Sequence, residues 1–401
     1  MENFYVFHSD NDSIVCVIIF CKPALREVIV KKLIFLFLFV PVFTFAESLY
    51  SPTWGFRLDL PEGYEYVEGD SKDRFSFSGP NEAMFNIVVY NNVYRSMREL
   101  VNDINNRLTN IGDVDYFTYN NKQAAIIELD FGYNSGWGLC VELKGNSADN
   151  PPMLLALAYS SVSADLNLFH LSALDSIIPS DGEQLYPGPI MEYSYPRGER
   201  KRVYLPAGGV SAIMYDNDAE AAQVLIEREF SILSCYLSSP NWREAWIRYY
   251  RMIYRDSFDR ITNAASVIVR SWGGPPSSGM EERMAFAQRA LAFVQNFNYE
   301  RDLSGSDFIN LVTAVTDGRG DCDSRAMLLA IILAHADIRC AMMVSSHHSH
   351  AMGLVDISGS GARFEAYGVN WLVAETTAKI NIGLIAQDMS DPAAWLGIIF
   401  E

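Results

Sequence analysis

Basic side chains are scarce in this sequence. The 31 Lys and Arg residues stand against 49 Asp and Glu, which leaves a formal charge of −18 over 401 residues. The few cations are scattered, so a duplex phosphate backbone would be repelled overall, which argues against a nucleic-acid partner. Histidine and cysteine are sparse as well, at six each. Cys16 and Cys21 fall in the segment read below as a leader. The remaining Cys140, Cys235, Cys322 and Cys340 are spread too widely for a disulfide framework or a CxxC metal site. No internal repeat is present, and no motif implies a bound cofactor. What the chain does have is bulk: 49% of its residues are apolar, and the length exceeds one ordinary core, so two or three domains are expected.

The longest apolar run is "LIFLFLFVPVFTFA", preceded by Lys31 and Lys32 and closed by Thr44-Phe45-Ala46. A positive flank, a run too short to span a bilayer and a small-residue cleavage site predict a signal peptide within residues 1–46. The alternatives are a buried strand or an uncleaved anchor. The leader predicts an exported protein, periplasmic or extracellular, that meets the membrane only during export. The thirty residues ahead of Lys31 suit a signal peptide poorly and predict a translation start near Val28 or Val30. No Cys follows Ala46 to carry a lipid anchor.

From residue 47 the pattern reads β, β, α, β, β, β, α. Phe56, Leu58 and Leu60 alternate in the first strand, and Phe85–Tyr90 forms a second. A helix follows from Ser96 to about Leu108, with Ser96 as N-cap and Glu99 in capping-box position. Strand-like runs span Ala124–Phe131, Trp137–Leu143 and Leu154–Ser160, and a helix spans Ala164–Ile177 before Pro179. This order predicts an α+β domain over 47–180. Its Gly-Phe-x-Leu-x-Leu-Pro opening and closing helix resemble the PsbP-like group, a likeness that names no chemistry.

Residues 181–270 read as a linker and helical connector. After a Pro-, Gly- and Tyr-rich stretch, Asp218 is expected to cap one helix, and "NWREAWIRYYRMIYRDSF" supplies a second. That helix is expected to hold Arg on its solvated side, with Trp242, Trp246, Tyr249, Tyr250 and Ile253 packed inside. "SWGGPPSSG", Ser271–Gly279, marks the start of a last domain over 271–401.

In that last region Met284, Ala287, Leu291 and Val294 form one stripe of an amphipathic helix. Gly318 and Gly320 then lead into Asp321, Cys322 and Asp323, followed by nine apolar residues from Ala326 to Ala334. A helix apolar all round is buried, so Cys322 falls in the first turn of a central helix. Unsatisfied N–H groups and the macrodipole there favour a thiolate. The glycines would bring the backbone close to a substrate and expose the sulfur. The competing reading is a small buried core residue.

A nucleophilic Cys needs a base. His170 lies in the first domain, and His335 stands about 20 Å away along the helix. The base must therefore come from "SSHHSHAMGLVDI", where a strand would place His348 and His350 on one face and His347 on the other. Glu365 and Glu375 are candidates to orient the imidazole. Asp321 and Asp323 read as helix caps whose charge would raise the thiol pKa, with Arg325 as an offset. Trp371 reads as packing. A metal site is disfavoured, because three His within four residues of a strand cannot converge on one ion.

Four motifs in order, "FVQNFNY" from Phe293, "GRGDCDSRAMLLAIILAHADI", "HAMGLV" from His350 and "WLVAETT" from Trp371, resemble the transglutaminase-like superfamily of papain-type cysteine enzymes. The resemblance covers roughly Met280 to Thr377. It implies a helical part packed on an antiparallel sheet, Cys322 as nucleophile, His350 as base and Glu375 as the acidic member, where many members carry Asp. Gln295, in the "VQ...Y" element, would help hold an oxyanion. The expectation is an exported α+β thiol enzyme, a cysteine peptidase or amidase acting on peptide or cell-envelope amide bonds. The alternatives are an amine-transferring transglutaminase and a non-catalytic envelope protein that binds a peptide or glycan. Substrate, oligomeric state and the role of the first domain are not readable.

Overall fold

The computed structural model describes residues 49–108, 111–145, 150–303 and 305–400. The signal peptide expected within 1–46 lies outside the described residues. The fold is α+β, built of antiparallel sheets with separate groups of helices. No described helix is long and apolar enough to cross a membrane.

A short pair, β1 (Leu49–Tyr50) and β2 (Arg57–Leu58), opens the chain. A seven-stranded sheet follows from β3 (Glu65–Gly69), β4 (Arg74–Ser78), β5 (Met84–Tyr90), β6 (Ile111–Tyr119), β7 (Lys122–Asp130), β8 (Asn134–Glu142) and β9 (Met153–Ser161), in the order β3-β4-β5-β9-β8-β7-β6. Strand β5 shows why the sheet carries two cores: Phe85, Ile87 and Val89 are buried while their neighbours are half-buried. The helix α1 (Met97–Arg107) covers one face with Met97, Leu100, Val101 and Ile104. Ser96 caps it by accepting from the Glu99 N–H, and Glu99 accepts from the Arg95 N–H, one residue short of a reciprocal capping box. The opposite face packs on α2 (Asn167–Asp175) and α3 (Pro189–Ser194) through Ala173, Leu174 and Ile190. Strands β3, β4 and β6 were not expected from the pattern; β3 is exposed throughout and β6 mostly so, whereas β4 alternates, with Phe75 and Phe77 buried.

A hairpin, β10 (Arg200–Tyr204) and β11 (Ser211–Tyr215), leads into α4 (Asp218–Ser234) and the thirty-residue α5 (Trp242–Ser271). Asn217, not Asp218, is the N-cap of α4; Asp218 is buried in the first turn against Arg260. The arginines of α5 correct a second expectation. Arg248, Arg255 and Arg260 are buried, not solvated. Arg248 donates to Glu229 at 2.8 Å and to the Asp59 carbonyl at 2.7 Å, and Arg228 of α4 pairs with Asp175 at 2.6 Å. A buried guanidinium is tolerable only when its donors are satisfied. Asp59 and Asp175 belong to the first sheet unit and Glu229 to α4, so this network ties that unit to α4 and α5.

The rest of the chain runs α6 (Met280–Gln295), β12 (Asn298–Tyr299), α7 (Leu311–Asp317), β13 (Arg319–Gly320), α8 (Cys322–Ala334), β14 (Cys340–Ser345), β15 (His350–Val355), β16 (Arg363–Ala366), β17 (Val369–Ala374) and β18 (Leu396–Ile398). The last five strands form a sheet in the order β16-β17-β15-β14-β18. Helix α8 lies on one face of it, and Trp371, Phe364 and Trp395 pack on the other. Helices α4 and α5 share one continuous apolar core with α6, α7, α8 and this sheet. The parallel two-residue pair β12–β13 brings Tyr299 beside the head of α8.

Candidate active site

Helix α8 begins where local chemistry says it should. Asp321 is extended and accepts from the Ser324 N–H at 2.7 Å, a side-chain cap that fixes Cys322 as the first helical residue. Gly318 closes α7 in the left-handed conformation, φ 67°, and Gly320 sits tight against Ser324. Neither glycine lines the cavity beside Cys322. Their work is turning and close packing, not the substrate approach expected of them.

Cys322 and His350 line one cavity of about 590 Å³. Residues 346–349 form a turn between β14 and β15, so the strand alternation expected for His347, His348 and His350 does not apply. His350 starts β15, whereas His348 stacks on Trp395 and His347 packs edge-on against His348. The His350 Nε2 lies 2.8 Å from the Glu375 Oε2. In a neutral imidazole that donates Nε2–H to the carboxylate, Nδ1 is left as the acceptor. Glu375 follows β17 directly and is buried. It also accepts from the Thr377 N–H and hydroxyl, each at 2.6 Å. Burial alone would raise its pKa, but the His350 and Thr377 donors and the His350 charge hold it below the ordinary carboxylate value. Glu365, the other candidate, is exposed on β16.

Gln295 is buried but does not line the cavity. Its Nε2 donates to the Glu375 carbonyl at 2.8 Å and the Ile380 carbonyl at 2.9 Å. Both amide hydrogens are spent there, so the oxyanion role expected of Gln295 is replaced by one of position: it anchors the backbone that carries Glu375. The first-turn amide of Cys322 remains for an oxyanion. Ser324 N–H goes to the cap, Arg325 N–H to the Asp321 carbonyl and Asp323 N–H to its own carboxylate, while that of Cys322 has no intrahelical acceptor.

Arg325 does not offset the aspartates through ion pairs. It is buried and donates to the carbonyls of Gly320, Phe297 and Thr376, with its guanidinium over the Tyr299 ring. Burial pushes the Cys322 thiol well up, and the carboxylates of Asp323 and Asp321 push it further. The thiol donates weakly to the Asp323 Oδ2 at 3.5 Å, and the Tyr250 hydroxyl donates to the Asp323 Oδ1 at 2.6 Å. Burial, then the neighbouring Asp323, raises Asp321 to about 8. Burial also raises Asp323, against the Tyr250 and Cys322 hydrogen bonds. Near neutral pH the pair therefore shares a proton, which spares Cys322 one of the two charges.

Several lining residues were not singled out by sequence as part of a site. Tyr250 and Tyr299 flank the thiol, and Trp242 and Trp246, expected inside, stand half-buried at the cavity wall. The signal for Trp242, Trp246 and Tyr250 was the aromatic run on α5. His335 is half-buried, stacked on Phe258 away from this cavity, and His170 is buried in the first unit. Trp371 is buried and donates to the Ala366 carbonyl. Cys140, Cys235, Cys322 and Cys340 are all free thiols. Among the described residues no group of three or more His, Cys, Asp or Glu is placed to hold a metal ion.

No protein-family profile matches the sequence, and no curated protein matches it. Among solved structures, that of cyanobacterial PsbP (CyanoP) from Synechocystis sp. PCC 6803 is similar over 33% of this chain and 91% of its own, at 8% identity and a TM-score of 0.27. The crystal structure of a candidate protease from Parabacteroides distasonis is similar over 76% of this chain and 69% of its own, at 11% identity and a TM-score of 0.18. At these scores neither likeness carries an argument.

Proposed function

We propose that the protein is an exported, thiol-dependent acyl-transfer enzyme of transglutaminase-like type, a cysteine peptidase or amidase. The observation that carries this reading is the His350–Glu375 pair, 2.8 Å apart, at the edge of the cavity that Cys322 lines. Cys322 loses its proton to the His350 Nδ1 and its sulfur bonds to the substrate carbonyl carbon. The oxyanion is met by the first-turn amide of Cys322, with the helix dipole behind it. The imidazolium then gives its proton to the leaving amine, the C–N bond breaks, and water resolves the thioester with His350 again as base. Glu375 fixes the tautomer and stabilises the imidazolium.

The raised thiol favours a second reading, a peptide- or glycan-binding envelope protein in which Cys322 is a spectator. Incubating the protein with peptides and peptidoglycan fragments separates the two. The enzyme reading expects turnover that falls about 10⁴-fold or more in Cys322→Ala. Full activity in that variant overturns it, and so does inertness of Cys322 to a thiol-reactive probe at neutral pH.

A further inference from the structure

The cavity around Cys322 is lined by the reacting groups and by an apolar wall from the corner between α4 and α5: Phe230, Leu233 and Tyr236, then Leu237, Trp242 and Trp246. Leu237 is 78% exposed, and the Trp242 and Trp246 rings lie 5.9 Å apart at a tilt. Exposed apolar groups collected at one concave site are the usual mark of a ligand surface. The volume of about 590 Å³ admits several side chains of a substrate beside the thiol.

The floor next to this wall is acidic. Asp307, Asp321 and Asp323 line the cavity, and its arginine, Arg301, is ion-paired to Asp307. An acidic ligand would meet unbalanced like charge there, in a chain already at −18. The corner is also held in place from outside. The Tyr236 hydroxyl donates to the Glu62 carbonyl at 2.8 Å, the Tyr236 ring packs on Phe169, and the Arg248 Nε donates to the Asp59 carbonyl at 2.7 Å. The first sheet unit thus braces a wall of the cavity that the thiol lines.

We propose that the α4–α5 corner is the specificity wall of the Cys322 cavity, seating a bulky apolar side chain of a peptide beside the scissile carbonyl and rejecting acidic peptides. The inference rests on the reading of Cys322 as the nucleophile, and the binding arm below separates the two.

The test uses a pentapeptide library in which each position in turn is Phe or Asp against an alanine background. Hydrolysis by the wild-type chain is followed by mass spectrometry, and binding to the full-length Cys322→Ala chain by calorimetry. The expected result is a preference of about tenfold or more for Phe over Asp at one position in both assays. Leu237→Asp, at an exposed position, is expected to erase that preference while its melting temperature stays unchanged. Equal binding of Phe and Asp peptides, no peptide binding, or an undiminished preference in folded Leu237→Asp each overturns the wall. Selective binding of Phe peptides without wild-type turnover upholds the wall and sinks the nucleophile.

Discussion

At the head of α8, Asp321 and Asp323 lie on either side of Cys322, whereas at the end of β17 Glu375 stands against His350 and Thr377. Asp321 and Glu375 are buried and Asp323 is half-buried, yet the two aspartates and the glutamate are displaced in opposite directions. Desolvation is the largest cause in each case, so it does not explain the difference. Partners do. Glu375 receives three donors and has a histidine charge beside it, while Asp321 has the Ser324 N–H and a like charge one residue beyond the thiol. The Glu375 site is built to stay charged, which in the proposed mechanism steadies an imidazolium. The Asp321–Asp323 site takes up a proton near neutrality and meters the negative charge felt by the sulfur.

The largest expected effect breaks the charged site. Glu375→Gln keeps the shape but removes the charge and allows the wrong His350 tautomer, so turnover should fall on the order of 10²–10⁴-fold with little change in KM. Steady-state kinetics on a cleaved peptide reads this, and an unchanged kcat would remove Glu375 from the mechanism.

A smaller effect is expected at the proton-sharing site. Asp321→Asn can still cap α8 but carries no charge. The wild-type Asp321 holds its proton more tightly folded, at about 8, than unfolded, near 3.8. It therefore withdraws stability as pH rises between those values, and nothing further above the upper one. In Asp321→Asn that loss should disappear from melting curves taken between pH 4 and 8, and Cys322 should alkylate faster than wild type at pH 8–9. An identical pH slope in the two proteins would sink the assignment.

The smallest effect sharpens the contrast. Thr377→Val removes the hydroxyl donor but keeps the backbone N–H to Glu375. The lowered pKa of Glu375 gives stability present above the ordinary carboxylate range and lost as pH falls through the folded value. With one donor fewer that loss should be smaller and complete at higher pH, and turnover should drop by no more than about tenfold, about 1.5 kcal/mol for one hydrogen bond. Acid titration of melting temperature measures the shift, and a variant that tracks wild type would show the hydroxyl to be idle.

Local chemistry was readable from sequence. The Asp321 and Ser96 caps each depend on residues within four positions of one another, and the apolar run of α8 is nine consecutive residues. The chemistry of α5 was not, because its arginines are satisfied by Asp59, Ser172, Asp175 and Glu229, which lie between 19 and 189 residues away. A helical pattern with Arg and aromatics interleaved has two faces that look alike until the partners are known. Strands β3 and β6 escaped for a related reason: an exposed edge carries no apolar alternation, and only its pairing with β4 and β7 makes it a strand.

The sequence by itself determined which residues could do chemistry here, since it offered one thiol at the head of an apolar helix, one histidine-bearing segment and a carboxylate after an apolar strand. Only the tertiary structure decided how those groups are tuned and what surrounds them. Gln295 became a backbone anchor, Arg325 a tie between carbonyls, and Trp242 and Trp246 a cavity wall. Identity and order along the chain fix the donors and acceptors that exist, whereas pKa and role depend on burial and on which partners the fold brings within hydrogen-bond reach.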